Sequence, residues 1–207
     1  MRLIGMVHLP PLPGSPRWDG SMERAIAVAL ADARALIDNG MDALIIENYG
    51  DAPFTAGRVA AATVAAMAVI AHEIRRALPD APLGVNVLKS DARSALAVAT
   101  AIGARFIRVN VLAGAVVADQ GIVQTDAHDL LRDRRLLGVD VAIFADVQGK
   151  HAVPLAPVEL EQQARDLAAR ALADALIVGT SLKRDGDVSS PVDPARVRRL
   201  VDAVGGR

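Results

Sequence analysis

The sequence predicts an α/β domain of the (β/α)-barrel type, shortened to about six parallel strands. Three observations carry this. Short aliphatic runs alternate with amphipathic helical stretches at a repeat of roughly 30–40 residues, which demands parallel strands joined by right-handed helical crossovers. The aliphatic runs break into polar clusters, so functional groups collect after every strand rather than at one switch point. No G-x-G-x-x-G follows the first strand, which argues against a doubly wound dinucleotide-binding sheet.

The stretch 42–54 (DALIIENYGDAPF) shows the pattern in full. Ala43-Leu44-Ile45-Ile46 reads as a strand buried on both faces. It gives way to Glu47, Asn48, Tyr49, Gly50 and Asp51. The Glu47 carboxylate must emerge where water or a ligand satisfies it, because an unpaired buried charge is costly. Upstream, residues 3–9 (LIGMVHL) form strand one with His8 near its end. The proline-rich segment 10–16 is a stiff loop that continues neither a strand nor a helix. Ser21 caps a helix over 21–39, in which Ile26, Ala29, Leu30, Ala33, Leu36 and Ile37 recur at helical spacing, and Gly40 stops it.

After strand two (43–48), a helix spans about 60–78 and ends at Pro79. Strand three, 83–88, leads to Lys89-Ser90-Asp91, and Asp91 caps the helix 92–102, which Gly103 closes. Strand four is 106–111, with Arg108 and Asn110 inside it. Residues 112–124 read as a long loop containing Asp119-Gln120-Gly121. Thr125 caps a helix to 137, stopped by Gly138. Strand five, 141–147, runs into Gln148-Gly149-Lys150-His151. A fifth helix covers about 157–173. Strand six, 175–178, runs into Gly179-Thr180-Ser181-Leu182-Lys183. Asp193-Pro194 opens a last helix to 204, with proline at the first helical position.

Composition narrows the function classes. With 207 residues, 52% of them hydrophobic, the chain builds one domain, 1–207, with a sizeable core. A net charge of −1 and 2% aromatic residues argue against a nucleic-acid partner, for want of both a basic field and stacking platforms. Absence of cysteine removes disulfides and thiolate chemistry and fits a reducing, cytoplasmic setting. No secretory leader is evident, and no apolar run approaches the ~20 residues of a membrane-spanning helix.

The candidate site residues follow from the strand ends. Glu47 and Asp146 stand at strand C-termini, where two carboxylates serve as an acid/base pair or hold a divalent metal; the alternative is an ion pair with Arg108 or Lys150. The sequence names no cofactor beyond that possible metal. Asn86 and Asn110 sit in matching V-N-V frames and either orient a substrate or close the core with a polar layer. Arg108 shares a face with Asn110 and needs an anionic partner if that face lines a barrel. Lys150 and His151 offer an electrophile or base and a proton shuttle, or else a solvated loop. His8 and Asn48 join the substrate-binding set, whereas His72 and His128 lie in helices and read as structural or solvated. Gly179, Thr180, Ser181 and Lys183 resemble half of a phosphate cradle; the alternative is an ordinary polar turn.

Seven motifs, taken in order, resemble one family. They are GMVHLPPLPGSP (5–16), ENYGDAPF (47–54), GVNVLKSDA (84–92), FIRVN (106–110), ADQGI (118–122), FADVQGKHAVPL (144–155) and GTSLKRDGDVSSPVD (179–193), and together they look like the BtpA/SgcQ family over nearly the whole chain. The resemblance implies a TIM barrel close to the ribulose-phosphate-binding group. It also implies an enzyme-like site for a small, optionally phosphorylated, metabolite. The family's photosynthetic namesake implies alternatives: a role in photosystem I biogenesis with peripheral membrane contact, or here a degenerate, inactive paralogue.

One departure from the family is large. Such barrels usually need about 250 residues and eight strands. Here the sixth strand, Ala175-Leu176-Ile177-Val178, runs straight into Gly179-Thr180, as if the chain passed from the family's sixth strand into the end of its eighth. Roughly two βα units are missing, with the junction near 177–179. The expectation is an incomplete or distorted barrel in which strand six still pairs with strand one. Strand five either closes on strand six or is left with a gap, and the exposed edges drive homo-oligomer formation. Gln148-Gly149 is a smaller departure, standing where the family tends to carry His and an aliphatic residue.

Overall fold

A computed structural model describes residues 3–124, 127–149, 151–186 and 191–204. In chain order the elements are β1 (Ile4–His8), α1 (Met22–Asp38), β2 (Ala43–Glu47), α2 (Ala61–Ala77), β3 (Leu83–Asn86), α3 (Ala92–Ile102), β4 (Phe106–Val109), β5 (Ala115–Ala118), β6 (Gly121–Gln124), α4 (Ala127–Leu137), β7 (Ala142–Asp146), β8 (Ala152–Pro154), α5 (Leu160–Ala169), β9 (Ala175–Ile177) and α6 (Pro194–Ala203).

Six of these strands form one parallel sheet, in the order β1-β2-β3-β4-β7-β9. Each crossover carries a helix, so consecutive strands lie side by side with the same polarity. The end strands β1 and β9 do not pair, and the sheet is an open, curled half-barrel rather than a closed TIM barrel.

The pairing of strand six with strand one is therefore corrected. β9 pairs with β7 instead, in the register Phe144↔Ala175, Ala145↔Leu176 and Asp146↔Ile177, so no gap opens between strands five and six. The cause is local. Asp174 donates its N–H to Ile143 O at 2.9 Å, and its Oδ2 accepts from Ile143 N and Arg134 Nη1, both at 2.8 Å. With α5 ending only a few residues earlier, this clamp fixes where β9 starts.

The core lies between the sheet and its helices. Val7, Leu44, Ile46, Leu83, Val85 and Ile107 of the strands pack with Met67, Ile70 and Ile74 of α2 and Leu96 of α3. Helix starts follow side-chain caps: Ser21 Oγ accepts from Arg24 N at 3.1 Å and Asp91 Oδ1 from Ser94 N at 3.1 Å. The Thr125 cap falls outside the described residues. On the opposite, concave face, Phe106 and Phe144 stack with centroids 4.6 Å apart. Position 84 must be glycine for this, because a Cβ there would fall 2.2 Å from Phe106 Cε2.

The segment expected as a long loop is structured. β5 and β6 form an antiparallel hairpin reversing at Asp119-Gln120, and β8 adds to the other side of β5. Two apolar runs, 115–118 and 122–123, separated by a turn that ends in glycine carry that signal in the sequence. Their inner face packs Val116 and Val123 against Val111, forming a second, smaller apolar cluster above the main sheet.

Candidate functional site

Register brings the polar strand ends together. His8 is the lateral neighbour of Glu47, and Glu47 of Asn86, so three consecutive strands present one polar level. β4 and β7 supply the rest of that level through Arg108, Asn110 and Asp146. Side chains two apart share a face of a strand, which explains why Arg108 and Asn110 act together.

The centre of this level is a charge bridge. Arg108 donates two parallel hydrogen bonds to Asp146, Nε to Oδ1 at 2.9 Å and Nη2 to Oδ2 at 2.8 Å. Its Nη1 also stands 3.5 Å from Glu47 Oε2. Glu47 and Asp146 are 5% and 7% exposed, so one guanidinium balances two buried carboxylates drawn from strands on either side of it. Burial alone pushes the Arg108 pKa down, but the hydrogen bonds and charge of Asp146, with the charge of Glu47, outweigh it and the net direction is upward.

Amides complete the arrangement. Asn86 Nδ2 donates to Glu47 Oε2 at 2.6 Å and Asn110 Nδ2 to Asp146 Oδ2 at 2.8 Å. The Oδ1 atoms of both asparagines are buried and accept no hydrogen bond from the described residues. Asn48 works at the rim: its Oδ1 accepts from Leu88 N at 2.7 Å and its Nδ2 donates to Asp51 Oδ2 at 3.1 Å. Asp51 Oδ1 in turn accepts from Leu12 N at 2.8 Å, which ties the proline loop to the end of β2. Gly50 lets the two loops touch, since a Cβ there would sit 2.4 Å from the Pro10 carbonyl carbon.

Above the bridge lies a cleft of about 790 Å³, floored by Glu47, Arg108, Asn110 and Asp146 and roofed by β5, β6 and β8. That volume suits a small metabolite. His8 stands at its wall, Nε2 3.5 Å from Glu47 Oε1 and its ring stacked on Tyr49 at 4.4 Å. His151 and Gln148 line the side next to β7. Tyr49, Phe54 and Lys89 also line the cleft and were not among the sequence candidates; each follows a strand end, as the candidates do.

The structure thus brings His8, Glu47, Arg108, Asn110, Asp146 and His151 to one cavity, with Asn86 behind Glu47 and Asn48 at the rim. Lys150 lies outside the described residues. Gly179, Thr180, Ser181 and Lys183 follow β9 at the same end of the sheet but do not line the cleft. There Ser181 Oγ donates to Gln148 O at 3.5 Å, and the N–H groups of Leu182 and Lys183 bond back to Gly179 O and Thr180 O. His72 and His128 are exposed on helices.

A divalent metal does not fit the carboxylates as arranged. Both oxygens of Asp146 and Oε2 of Glu47 accept hydrogen bonds from Arg108 or amides. Among the described residues, no group of three His, Cys, Asp or Glu side chains is placed to hold a metal ion.

Comparison with known proteins agrees with this architecture. The model of the BtpA family matches residues 1–178, ending where the sequence departs from the full barrel. The photosystem I biogenesis protein BtpA of Synechocystis sp. is 39% identical over 251 aligned positions, covering 98% of this chain and 87% of the relative. That alignment is longer than the 207 residues of the chain, so the relative carries internal segments that this chain lacks. An uncharacterized protein of Thermococcus kodakarensis is 46% identical over 187 positions, 90% of this chain and 70% of the relative.

Among solved structures, a 2,3-dimethylmalate lyase of the PEP mutase/isocitrate lyase superfamily superposes with a TM-score of 0.58 at 14% identity, over 100% of this chain and 65% of the lyase. The YdjI aldolase from Escherichia coli K12 gives 0.51 at 13% identity, over 99% and 63%. The chain spans less than two thirds of either solved chain, and the likeness is one of fold. The chain belongs to the BtpA family, as a shortened member whose barrel sheet stays open.

Proposed function

We propose that the chain is an enzyme that performs acid–base chemistry on a small polar metabolite, phosphorylated or carboxylated, in the cleft at the C-terminal ends of its strands. One observation carries this: Arg108 bridges two buried carboxylates on different strands at the floor of a roofed cavity. A bridge made only for stability is poorly rewarded, since a buried ion pair seldom outperforms apolar packing. Barrel enzymes place their chemistry at this same face.

His8 and Glu47 form the proton-transfer pair in this reading. The imidazole, at 3.5 Å from the carboxylate and open to the cleft, takes a proton from the substrate, and Glu47 stabilises the imidazolium that forms. Asn110 orients a substrate hydroxyl or carbonyl, and the Arg108–Asp146 pair fixes the floor on which it rests. Gln148 and His151 contact the far end of the substrate. Glu47 and Asp146, named from the sequence as the catalytic carboxylates, thereby take different parts: one beside the proton-transfer histidine, one anchoring the arginine.

The reading takes the chain as cytoplasmic and self-associating. Among the described residues, no helix is long and apolar enough to cross a membrane, and the outer edges of β1 and β9 carry no partner strand. Thermal-shift screening against sugar phosphates and hydroxy- and oxo-acids tests it. Ligands that stabilise the native chain should lose at least tenfold in affinity or turnover in His8→Ala and Glu47→Gln. Undiminished turnover in both variants would overturn it.

A second reading has one observation in its favour, the name of the Synechocystis relative. In that reading the chain is a non-catalytic assembly factor. A stable complex with a defined membrane-protein partner that survives Glu47→Gln and Asp146→Asn, without any small-molecule ligand, would support it over the first.

A further inference from the structure

Two cationic side chains line the cleft among the described residues, and they are held in opposite ways. Arg108 is locked between buried carboxylates. Lys89, in the loop after β3, has one ion-pair partner among the described residues: Nζ donates to Asp119 Oδ1 at 2.8 Å. The two ends of that pair differ in burial. The Lys89 side chain is 18% exposed and Asp119 is 71% exposed, at the reversal of the β5–β6 hairpin. The ammonium lies 6.0 Å from the centroid of Phe54, which also lines the cleft. Lys89 is thus already stripped of much of its water and held at the cavity, whereas Asp119 can return to solvent at little cost.

This asymmetry is what an exchangeable anion site requires. An ion pair whose carboxylate is open to solvent contributes roughly as little as a surface pair, ~0.2–1 kcal/mol, so an entering anion has little to displace. Without such a cation the cleft is a poor place for an anion, since Arg108 is shared between Glu47 and Asp146 and the floor keeps a net negative charge. A substrate that is anionic at one end and reacts at the other must then place its charge away from the floor. Lys89 stands on the roof side, next to the hairpin.

We infer that Lys89 is the anchor for the anionic group of the substrate, a phosphate ester or a carboxylate, and that Asp119 occupies this anchor in the empty protein as an internal stand-in for the ligand. This rests on the acid–base reading of the cleft and adds to it the residue that holds the anionic group of the substrate. It also gives the hairpin a part: anion binding frees the tip at Asp119-Gln120 from the loop after β3. The anion is held here rather than at the 179–183 turn, whose Leu182 and Lys183 N–H groups are consumed within the turn.

The test is calorimetric titration of the full chain at constant ionic strength, with inorganic phosphate and malonate as separate probes. Asp119→Asn removes the competing charge and should tighten the preferred probe by about two- to fivefold, the ratio that an exposed ion pair represents. Lys89→Met should abolish binding, Lys89→Arg should restore it in part, and Ser181→Ala/Lys183→Ala should leave it unchanged. The tighter of the two probes identifies the group as phosphate or carboxylate. Unchanged binding in Lys89→Met, with native circular dichroism, would overturn the inference, as would absence of binding by the unsubstituted chain. Loss of binding in the Ser181→Ala/Lys183→Ala variant alone would move the anion to the turn after β9. The two readings fail separately: Asp146→Asn removes a negative charge from the floor and should tighten anion binding, so if it does this while Lys89→Met changes nothing, the cleft stands and the anchor falls, and if neither variant changes binding both fall.

Discussion

The interior strands β2 and β3 and the edge strand β9 are built from similar aliphatic residues and bury them to different degrees. Every residue of β2 and β3 is buried, whereas no residue of β9 is. The difference is one of neighbours. β2 and β3 have a strand on each side and helices behind them; β9 is the last strand of an open sheet, with the segments that would continue the barrel in its longer relative absent. Aliphatic sequence therefore sets how much a strand can bury, and its place in the sheet sets how much it does. The polar bridge falls on the well-packed side of this divide and at its border, on β2, β4 and β7, which is where precise geometry can be held.

The sharpest way to break this comparison is a matched pair of truncations. Leu44→Ala, in β2 and fully buried, should cost about 2–5 kcal/mol, and Leu176→Ala, in half-buried β9, about 1 kcal/mol. Urea unfolding with an unchanged slope would measure both, and equal losses would show that β9 is as much a part of the core as β2. Next in size is Arg108→Met. It leaves two carboxylates without their shared cation and should cost about 3 kcal/mol, the low end for a buried pair because Arg108 stays partly exposed, with much of it recovered when Asp146→Asn is added. A double-mutant cycle that shows no coupling would mean that the bridge does not organise the floor.

Gly84→Ala comes third, at about 1–3 kcal/mol from overpacking against the Phe106 ring, and Phe106→Leu in the same chain should relieve it. If the double variant is no better than the single one, the conflict lies elsewhere. The smallest effect belongs to the far end of the molecule. Asp193 caps α6, and the Ala195 N–H that it accepts, followed by that of Arg196, lowers its carboxyl below the ordinary 3.8. A depressed acid adds stability that is present above its unfolded pKa and lost as pH falls through its folded one. Hydrogen exchange in α6 should therefore accelerate below about pH 3.8 before it does so in α2, and Asp193→Ala should remove that step while lowering the unfolding temperature only slightly.

Much of this architecture is legible residue by residue. Asp91 caps α3, Pro194 opens α6, and the break from Ile46 to Glu47 marks where a strand meets the cleft, all within the few residues over which backbone and side chain interact. Residues 112–124 look like a loop in the sequence, because short runs beside Asp119-Gln120 form strands only when β8 and the small apolar cluster of Val111, Val116 and Val123 give them something to pair with and cover. Lys89 and Phe54 share with the candidates only a place after a strand end, which does not by itself set them apart from their loop neighbours. They reach the cleft because the loops that carry them lie over it.

The sequence alone determined the alternation of strands and helices and the face on which the polar residues gather, and its resemblance to the family implied the loss of two βα units. Periodicity and capping are local properties, and they survive without knowledge of what touches what. Tertiary structure decided the rest: that Arg108 takes Asp146, 38 positions away, with Glu47 as its second partner, and that β9 takes β7 and leaves β1 free. Such pairings depend on register between distant strands and on where a short connection lets the next strand start. Here that start is fixed by the Asp174 clamp on Ile143, which holds β9 beside β7 and keeps the sheet open.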